Sequence, residues 1–301
     1  MPEFPSDRVR PPVSVEAMIL VTGATGTIGS EVVRQLAARG EKVRAMTRDP
    51  AKAQVPEGVE VVRGDFLDSE SVTAALAGAA AVFLVAVLGP ADGGRDARLV
   101  AAARAAGVRR IVKLSSIGTG DPDYGPFGTW HLPGEEALRA GGSEWTILRP
   151  SSFASNTLGW AESVHAGRPV PNMTGNGRQG VVDPRDVSEA AVEALTDSRH
   201  SRRAYTLTGP EAITVHDQAA AIAAVVGRPV ETLDLSPDRI REQLTASGLD
   251  AAAAESVLGG LLFAREGGNA LVTDDVQEAL GRPARSYREW VEDHRGVFVG
   301  A

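Results

Sequence analysis

The fold of this chain is decided by residues 18–40, which read MILVTGATGTIGSEVVRQLAARG. The apolar run Met18–Val21 has the length of a buried parallel strand. The amphipathic pattern after the glycines predicts a helix that closes at Gly40. Strand, glycine loop and helix in this order form a typical phosphate site, because the free amide groups at the start of the helix face the ligand.

The glycines of this loop fit the pattern of a dinucleotide-binding turn. Gly23 allows the tight turn, Gly26 lets the backbone approach a pyrophosphate, and Gly29 lets the helix lie close to the strand. The alternative is a glycine-rich turn without a ligand. The residues predicted to hold the cofactor here are Gly23, Thr25, Gly26, Thr27, Ile28 and Gly29.

The composition excludes several classes of protein. The net charge of −8 offers no basic face for nucleic acid, and no apolar run is long enough to span a membrane. The absence of cysteine excludes disulfides, thiolate catalysis and zinc–sulfur sites, and the histidines lack metal-ligand spacing. Residues 1–17 are predicted to form a polar, proline-rich tail and not a signal peptide. We therefore expect a cytoplasmic protein without a metal.

Short apolar runs alternate with helical patterns through the first half of the chain. This βαβ repetition predicts an α/β fold with a doubly wound parallel (Rossmann) sheet and a smaller, mostly helical C-terminal lobe. The strands are predicted at 18–21, 42–46, 59–63, 80–85, 110–114 and 145–148, with one more at 204–208. Later helices are predicted at 153–166, 215–226, 236–247, 274–280 and 286–297, and Asp183 is expected to cap another.

This pattern divides the chain into a cofactor domain and a substrate lobe. Residues 18–152 are predicted to form the NADP-binding Rossmann domain, and residues 153–301 the substrate lobe. Within that lobe, about 181–208 is expected to return to the Rossmann sheet.

The second strand indicates which dinucleotide binds. A site for NAD usually carries an acidic residue at the tip of this strand, whereas here the tip reads Thr47-Arg48. A guanidinium can bond two oxygens of a 2′-phosphate, so Arg48 favours NADPH, with Lys52 close behind. Two alternatives are a solvated surface arginine and an ion pair between Arg48 and Asp49.

The third strand ends in Gly64-Asp65-Phe66. Asp65 is placed to accept a hydrogen bond from the adenine amino group, and Phe66 to line the adenine pocket. The alternative for Asp65 is an ordinary cap of the helix that begins near Ser69.

These motifs together resemble the NmrA-like family of atypical short-chain dehydrogenases/reductases. The similarity rests, in this order, on the glycine loop, Arg48-Asp49-Pro50, Gly64-Asp65-Phe66, Ser115-Ser116, Leu148-Arg149-Pro150 and Val182–Val187. It implies an NAD(P)H-dependent reductase of quinones, azo or triphenylmethane dyes, or a ketoreductase of secondary metabolism. The family also contains redox-sensing regulators without catalytic activity.

The tyrosine and lysine that most short-chain reductases use are absent. The three tyrosines have Gly128, Gly209 and Val291 four residues later, so no Tyr-x-x-x-Lys occurs. By resemblance to the dye and quinone reductases, His131 and Glu135 take the two positions. Pro133-Gly134 departs even from that pattern, and predicts that His131 lies just before the helix.

Three residues are candidates for proton donation or orientation of a carbonyl. His131 is a candidate acid because an imidazole titrates near neutral pH, and its alternative is a positioning residue. Tyr124, in the loop after the fifth strand, is a second candidate donor. Ser115, with Ser116, ends the fifth strand, where a hydroxyl either orients a carbonyl or satisfies the backbone.

Aromatic residues on two sides of the expected nicotinamide position predict a flat, aromatic small-molecule substrate. They lie before the sixth strand or just after its end. The alternative role for these residues is packing between the two lobes. The predicted substrate residues are Phe127, Trp130, Phe153, Asn156 and Trp160.

Three functions therefore follow from the sequence. The first is an NADPH-dependent reductase that transfers hydride to a quinone, ketone or other electron-poor carbonyl without a Tyr/Lys dyad. The second is a non-catalytic NAD(P)-sensing regulator, which the missing dyad favours. The third, an epimerase or dehydratase of nucleotide sugars, normally needs the dyad. The sequence leaves the oligomeric state and the identity of the substrate open.

Overall fold

The computed structural model describes residues 17–85 and 93–300, so the predicted tail lies outside the described residues except for Ala17. Seven parallel strands form the main sheet, in the order β3-β2-β1-β4-β5-β6-β8. This order confirms the predicted doubly wound sheet. The strands are β1 (Met18–Val21), β2 (Val43–Thr47), β3 (Glu60–Arg63), β4 (Ala79–Leu84), β5 (Arg110–Leu114), β6 (Glu144–Pro150), β7 (Val170–Asn172), β8 (Arg203–Leu207) and β9 (Thr232–Asp234).

Helices cover both faces of this sheet and build the C-terminal lobe. They are α1 (Thr27–Ala38), α2 (Ser69–Leu76), α3 (Gly93–Ala105), α4 (Leu132–Arg139), α5 (Ala161–His165), α6 (Pro184–Thr196), α7 (Val215–Val226), α8 (Pro237–Ala246), α9 (Ala251–Arg265), α10 (Asp275–Leu280), α11 (Tyr287–Asp293) and α12 (Arg295–Val299).

The strands alternate between two apolar cores, as a sheet buried on both faces requires. Ile19 and Val21 pack into the core beneath α1 and α6, whereas Leu20 packs into the core beneath α2, α3 and α4. All three side chains are buried. The sheet is thus held from both sides, and its carboxyl edge carries the loops that the sequence indicates for binding.

The segment after residue 180 differs from its prediction in one respect. Asp183 caps α6 as predicted, because its carboxylate accepts a hydrogen bond from the amide of Arg185 at 2.8 Å. Val182 forms only an isolated parallel bridge with Phe153 and does not belong to the main sheet. The part of this stretch that joins the sheet is β8, beside β6.

The C-terminal lobe corrects several helix predictions. The predicted helix 153–166 is a 3₁₀ segment, Ala154–Trp160, followed by the short α5. The hydroxyl of Thr157 bonds the carbonyl of Ala154 at 2.8 Å, a spacing that suits the tighter turns.

Two further features of the lobe were not predicted. The helix predicted over 286–297 is divided at His294 into α11 and α12, since that residue leaves helical geometry with φ −100°. Strands β7 and β9 form a separate parallel pair. None of the helices that the structure describes is long and apolar enough to cross a membrane.

Candidate active site

The loop between β1 and α1 has the geometry of a phosphate cradle. Gly23 adopts φ +61°, and its carbonyl accepts a hydrogen bond from the amide of Gly26 at 2.9 Å. A Cβ at Gly29 would lie 2.1 Å from that carbonyl oxygen, so only glycine lets the helix approach this closely. The turn is fixed to β4 because the amide of Val85 donates to the hydroxyl of Thr22 at 2.8 Å.

The start of α1 is open to a ligand. Gly26 is its N-cap residue and supplies no side-chain cap, and the first turn carries no acidic residue. Thr25, Gly26 and Thr27 are exposed, while Ile28 and Gly29 are buried against the sheet. Uncapped amide groups at a helix start bind anions. This cradle therefore fits the diphosphate of a dinucleotide, with Thr25–Thr27 as the residues that would hold it.

The tip of β2 presents a cation to the solvent. Arg48 is exposed, and no described side chain forms an ion pair or hydrogen bond with it. Asp49, which the sequence left as a rival partner, pairs with Lys52 at 3.0 Å. The position of Arg48 therefore suits a dinucleotide that carries a 2′-phosphate.

Asp65 and Phe66 follow β3 at the same edge of the sheet. Asp65 Oδ1 accepts from the amide of Leu67 at 2.9 Å, and Asp68 caps α2 instead, accepting from the amide of Ser71. The alternative that Asp65 caps this helix is therefore wrong. Phe66 is half-buried against the core beneath α2.

Ser115 and Glu135 belong to one buried polar cluster. The hydroxyl of Ser115 donates to Glu135 Oε1 at 2.6 Å, and Arg149 donates to both carboxylate oxygens, with Nε at 2.9 Å. Arg139 adds an ion pair at 2.9 Å. Burial alone would raise the pKa of Glu135, but these hydrogen bonds and charges outweigh it and hold the pKa below its usual value. The cluster fixes α4 to β5 and β6, and it occupies the Ser115 hydroxyl.

His131 is the N-cap residue of α4, as the sequence predicts, and its side chain is 12 % exposed. Lys113 Nζ is hydrogen-bonded to His131 Nδ1 at 2.9 Å, and it also forms an ion pair with Asp96. Asp96 Oδ2 lies 3.5 Å from His131 Nδ1. Burial lowers the pKa of His131, and the nearby Asp96 offsets only part of this shift. The imidazole is therefore neutral near pH 7.

The unusual Pro133-Gly134 pair has a structural explanation. A Cβ at Gly134 would lie 2.5 Å from Asp96 Cβ and 2.9 Å from Lys113 Cε. Glycine thus lets the first turn of α4 pack directly over the buried ion pair. Pro133 lies in that first turn, where proline is tolerated because its missing amide proton has no partner in the helix.

The side chain of Tyr124 contacts residues of the C-terminal lobe. Its hydroxyl donates to Asn269 Oδ1 at 3.3 Å, and its ring packs on Phe263 with centroids 4.5 Å apart. Burial raises its pKa, whereas a proton donor of this kind needs a lowered one. Tyr124 therefore joins the 3₁₀ segment Pro122–Thr129 to the C-terminal lobe.

The aromatic residues that precede α4 face the same lobe. Phe127 is half-buried and lies 4.9 Å from Trp130 between ring centroids. Trp130 is buried, and its indole N–H donates to the hydroxyl of Ser256 on α9 at 3.1 Å. Trp130 thus packs against α9, Phe127 stays partly exposed, and the contact of both with a substrate stays a prediction.

The three predicted substrate residues after β6 differ in how they are buried. Phe153 is half-buried beside a core that includes Ala24 of the glycine loop, so it lies at the carboxyl edge of the sheet. Asn156 is exposed, and its amide donates to the hydroxyl of Ser152 at 3.4 Å. Trp160 is partly buried and packs against the separate core of the C-terminal lobe, and its contact with a substrate stays a prediction.

Sequence reasoning missed Asp96 and Lys113. Both are 1 % exposed, and they come from α3 and β5. The available signal was a single lysine inside the apolar strand Arg110–Leu114, in a chain with only two other lysines. A charged residue is almost never fully buried unless it is paired.

The fold and the cradle define a dinucleotide-binding oxidoreductase of the Rossmann type. The chain belongs to the NAD(P)H-binding family, whose sequence profile matches residues 23–198. Its relatives confirm the resemblance to NmrA-like reductases, and the family binds NAD(P)H. The protein is therefore an NAD(P)H-dependent oxidoreductase.

Two curated relatives cover nearly the whole chain. The (4-alkanoyl-5-oxo-2,5-dihydrofuran-3-yl)methyl phosphate reductase of Streptomyces griseus is 43% identical over 94% of this chain and 99% of its own length. The NAD(P)H azoreductase of Xenophilus azovorans is 34% identical, over 94% of this chain and 100% of its own length.

A solved structure agrees with them. The NADPH-dependent quinone oxidoreductase of Escherichia coli, in complex with NADPH, superposes with a TM-score of 0.80 and is 26% identical. The match covers 92% of this chain and 99% of that one.

Proposed function

We propose that this protein transfers hydride from NADPH to a flat, electron-poor conjugated acceptor, such as a quinone, a ketone or another conjugated carbonyl. The relatives are named for reducing a quinone, an azo compound and an alkanoyl-substituted dihydrofuranone. These acceptors share a conjugated system that takes up negative charge. Polycyclic aromatic ketones belong to the same class and remain within the proposal.

The observation that carries the proposal is the placement of His131. Its ring lies 2.9 Å from Lys113, the penultimate residue of β5, and so at the carboxyl edge where the glycine loop also lies. In an open α/β sheet the ligand binds at this edge. Because Tyr124 is turned to Asn269, His131 is the better placed of the two candidate donors.

The proposed roles follow from these positions. Bound NADPH supplies a hydride. Thr25–Thr27 and Arg48 bind the cofactor phosphates, and Asp65 with Phe66 borders the adenine. Phe127 and Phe153, both half-buried, form the apolar wall against which a planar acceptor packs. His131 gives a proton to the acceptor after it has received the hydride.

A screen of acceptors tests this function. We expect the wild-type protein to consume NADPH with a quinone, an azo dye or an acyl-substituted butenolide, and not in the absence of an acceptor. Repeating a positive reaction with cofactor deuterated on either face of C4 should place deuterium in the product from one face only. Tight binding of NADPH without turnover of any acceptor would instead support a sensing regulator.

A substitution tests the role of His131. A general acid contributes about 10²–10⁴-fold to the rate. We therefore expect His131→Phe to lose turnover of a ketone by about this factor while binding NADPH normally. If His131→Phe keeps full turnover, His131 is not the proton donor and only positions the cofactor or the substrate.

A further inference from the structure

The amino group of Lys113 lies inside the protein among three possible acceptors. Its side chain is 1 % exposed, and three acceptors surround Nζ: the carboxylate of Asp96, His131 Nδ1 at 2.9 Å and the carbonyl oxygen of Leu114 at 3.0 Å. An ammonium group has three N–H donors and no acceptor. The number of partners therefore matches the charged form of this lysine.

These contacts determine where the proton of His131 lies. Because a charged Lys113 can only donate, His131 Nδ1 must accept, and the single proton of the neutral ring is on Nε2. The competing arrangement, in which Nδ1–H donates to Asp96, has the longer distance of 3.5 Å. Among the described residues, no hydrogen-bond partner faces Nε2.

The other charges near this ring are already paired. The carboxylate of Glu135, on α4, is neutralised by Arg149 and Arg139, and no described hydrogen bond joins it to the His131 ring. Burial lowers the pKa of Lys113, and Asp96 offsets part of this shift. The lowered pKa lets Lys113 release a proton more readily than a lysine in water does, while its ion pair with Asp96 favours the charged form.

We propose that Lys113 is a positioning residue which fixes the Nε2–H tautomer of His131 and restores its proton during the reaction, with Asp96 holding the lysine in place. This inference rests on the proposed reductase function. It gives the protein a substitute for the Tyr/Lys dyad in which the lysine acts through an imidazole instead of a phenol.

The proton step balances as follows. After hydride transfer the acceptor carries a negative charge. The Nε2–H bond of His131 breaks and an O–H or C–H bond forms on the acceptor, while an Nζ–H bond of Lys113 breaks and Nδ1–H forms. Lys113 ends neutral and His131 ends as the Nδ1–H tautomer. A proton from water then enters at Nε2, and the Nδ1 proton returns to Lys113.

Nitrogen NMR of the imidazole rings tests the resting state without any turnover. The protein has five histidines, so the spectrum of His131→Gln assigns the ring by difference. We expect an unprotonated Nδ1 and a protonated Nε2 in the wild-type protein. In Lys113→Met, Asp96 becomes the nearest charged partner, and the proton should move to Nδ1. A wild-type ring protonated on Nδ1, or an unchanged tautomer in Lys113→Met, would overturn the proposal.

Two acceptors of different basicity test the proton supply. Hydride transfer to a quinone gives a phenolate-like anion, whose conjugate acid has a pKa of about 10, so water can protonate it. The alkoxide or enolate formed from a ketone or a butenolide is far more basic. We expect Lys113→Met to slow ketone or butenolide reduction by about 10²–10⁴-fold and quinone reduction by less than about tenfold. The exposed Lys42, replaced by Met, is the matched control.

The outcomes separate the two proposals. If the wild-type protein reduces neither class of acceptor, the proposed function fails. If it reduces both and Lys113→Met loses both equally, the reductase stands and the proton relay is overturned. If Lys113→Met does not fold, the tautomer of His131 in the wild-type spectrum still tests the relay, because the relay requires the proton on Nε2.

Discussion

Asp49 pairs with Lys52, at 3.0 Å, and leaves the adjacent Arg48 without an ion-pair partner among the described residues. The carboxylate of Asp49 could have paired with Arg48, but it pairs with Lys52 instead. An unpaired guanidinium at this position can bond a 2′-phosphate through two of its N–H groups. We therefore expect the selectivity for the cofactor to depend on Arg48, which the Asp49–Lys52 pair leaves available.

Replacing Arg48 with Ala should weaken NADPH binding and leave NADH binding nearly unchanged. A hydrogen bond to a charged group contributes about 1.5–3 kcal/mol, which corresponds to about ten- to a hundredfold in affinity. Titration calorimetry with both cofactors measures the difference. Arg239→Ala, on the distant α8, is a control because its partner is Glu242. Equal losses for the two cofactors would remove the 2′-phosphate assignment.

Two glycines of the cofactor loop should respond differently to alanine. At Gly26 a Cβ would lie 3.4 Å from the carbonyl oxygen of Gly23, so Gly26→Ala should fold with a loss of at most about 1 kcal/mol. Its methyl group would instead occupy the face that a pyrophosphate approaches. At Gly29 the same distance is 2.1 Å, and Gly29→Ala should lose about 3 kcal/mol in the free energy of unfolding.

Urea unfolding and NADPH titration on the two variants check this contrast. We expect Gly26→Ala to lose cofactor affinity while remaining folded, and Gly29→Ala to lose stability first. Normal NADPH binding by Gly26→Ala would show that the pyrophosphate does not approach this loop.

Alanine at Gly134 should disturb the ion pair beneath α4. Its Cβ would lie 2.5 Å from Asp96 Cβ, and overpacking of this kind costs about 1–3 kcal/mol. Gly142→Ala is the matched control, since no heavy atom lies within 4 Å of its Cβ position. Chemical denaturation should show a loss of stability for the first variant alone. Two equally stable variants would contradict the close packing described for α4.

His131 should make the protein less stable in acid. Burial lowers its folded pKa, so the unfolded chain, with a histidine pKa of about 6.5, binds the proton first as the pH falls. This contribution to stability is therefore complete above about pH 6.5 and is lost as the pH falls from there toward the folded pKa. Burial shifts the pKa of His200 in the same direction, so a difference between variants is needed.

Urea unfolding between pH 5 and 8 provides that difference. We expect His131→Gln to lose less stability on acidification than the wild-type protein does. His165→Gln, at an exposed histidine, is the control. If the wild-type protein and His131→Gln show the same dependence on pH, the burial of His131 does not affect its titration.

The main sheet was predictable because it is buried on both faces, which makes its strands short apolar runs. Met18–Val21 and Arg110–Leu114 have the predicted bounds. The helix α9 (Ala251–Arg265) was not predicted, since it begins with four alanines and contains Gly259-Gly260, which weaken its amphipathic pattern. Three-residue strands such as β7 and β9 are too short to produce a period.

The candidate site was predictable only where one continuous stretch forms it. The glycine loop is such a stretch, and the placement of His131 before α4 followed from Pro133. The partnership of Asp96, Lys113 and His131 brings together three elements, and no local pattern encodes such a contact. A lone lysine inside a buried strand indicates that a partner exists, but not which residue it is.

The contact of α9 with the segment Pro122–Thr129 separates two properties of the protein. Tyr124 and Trp130 bond to Asn269 and Ser256, which lie within 251–270, while none of the hydrogen bonds described for the glycine loop or for the Lys113 side chain reaches that stretch. Substitutions on α9 can therefore reshape the proposed acceptor wall while the sites for hydride and proton stay intact. We expect a library confined to 251–270 to change which acceptors are reduced while cofactor binding is retained.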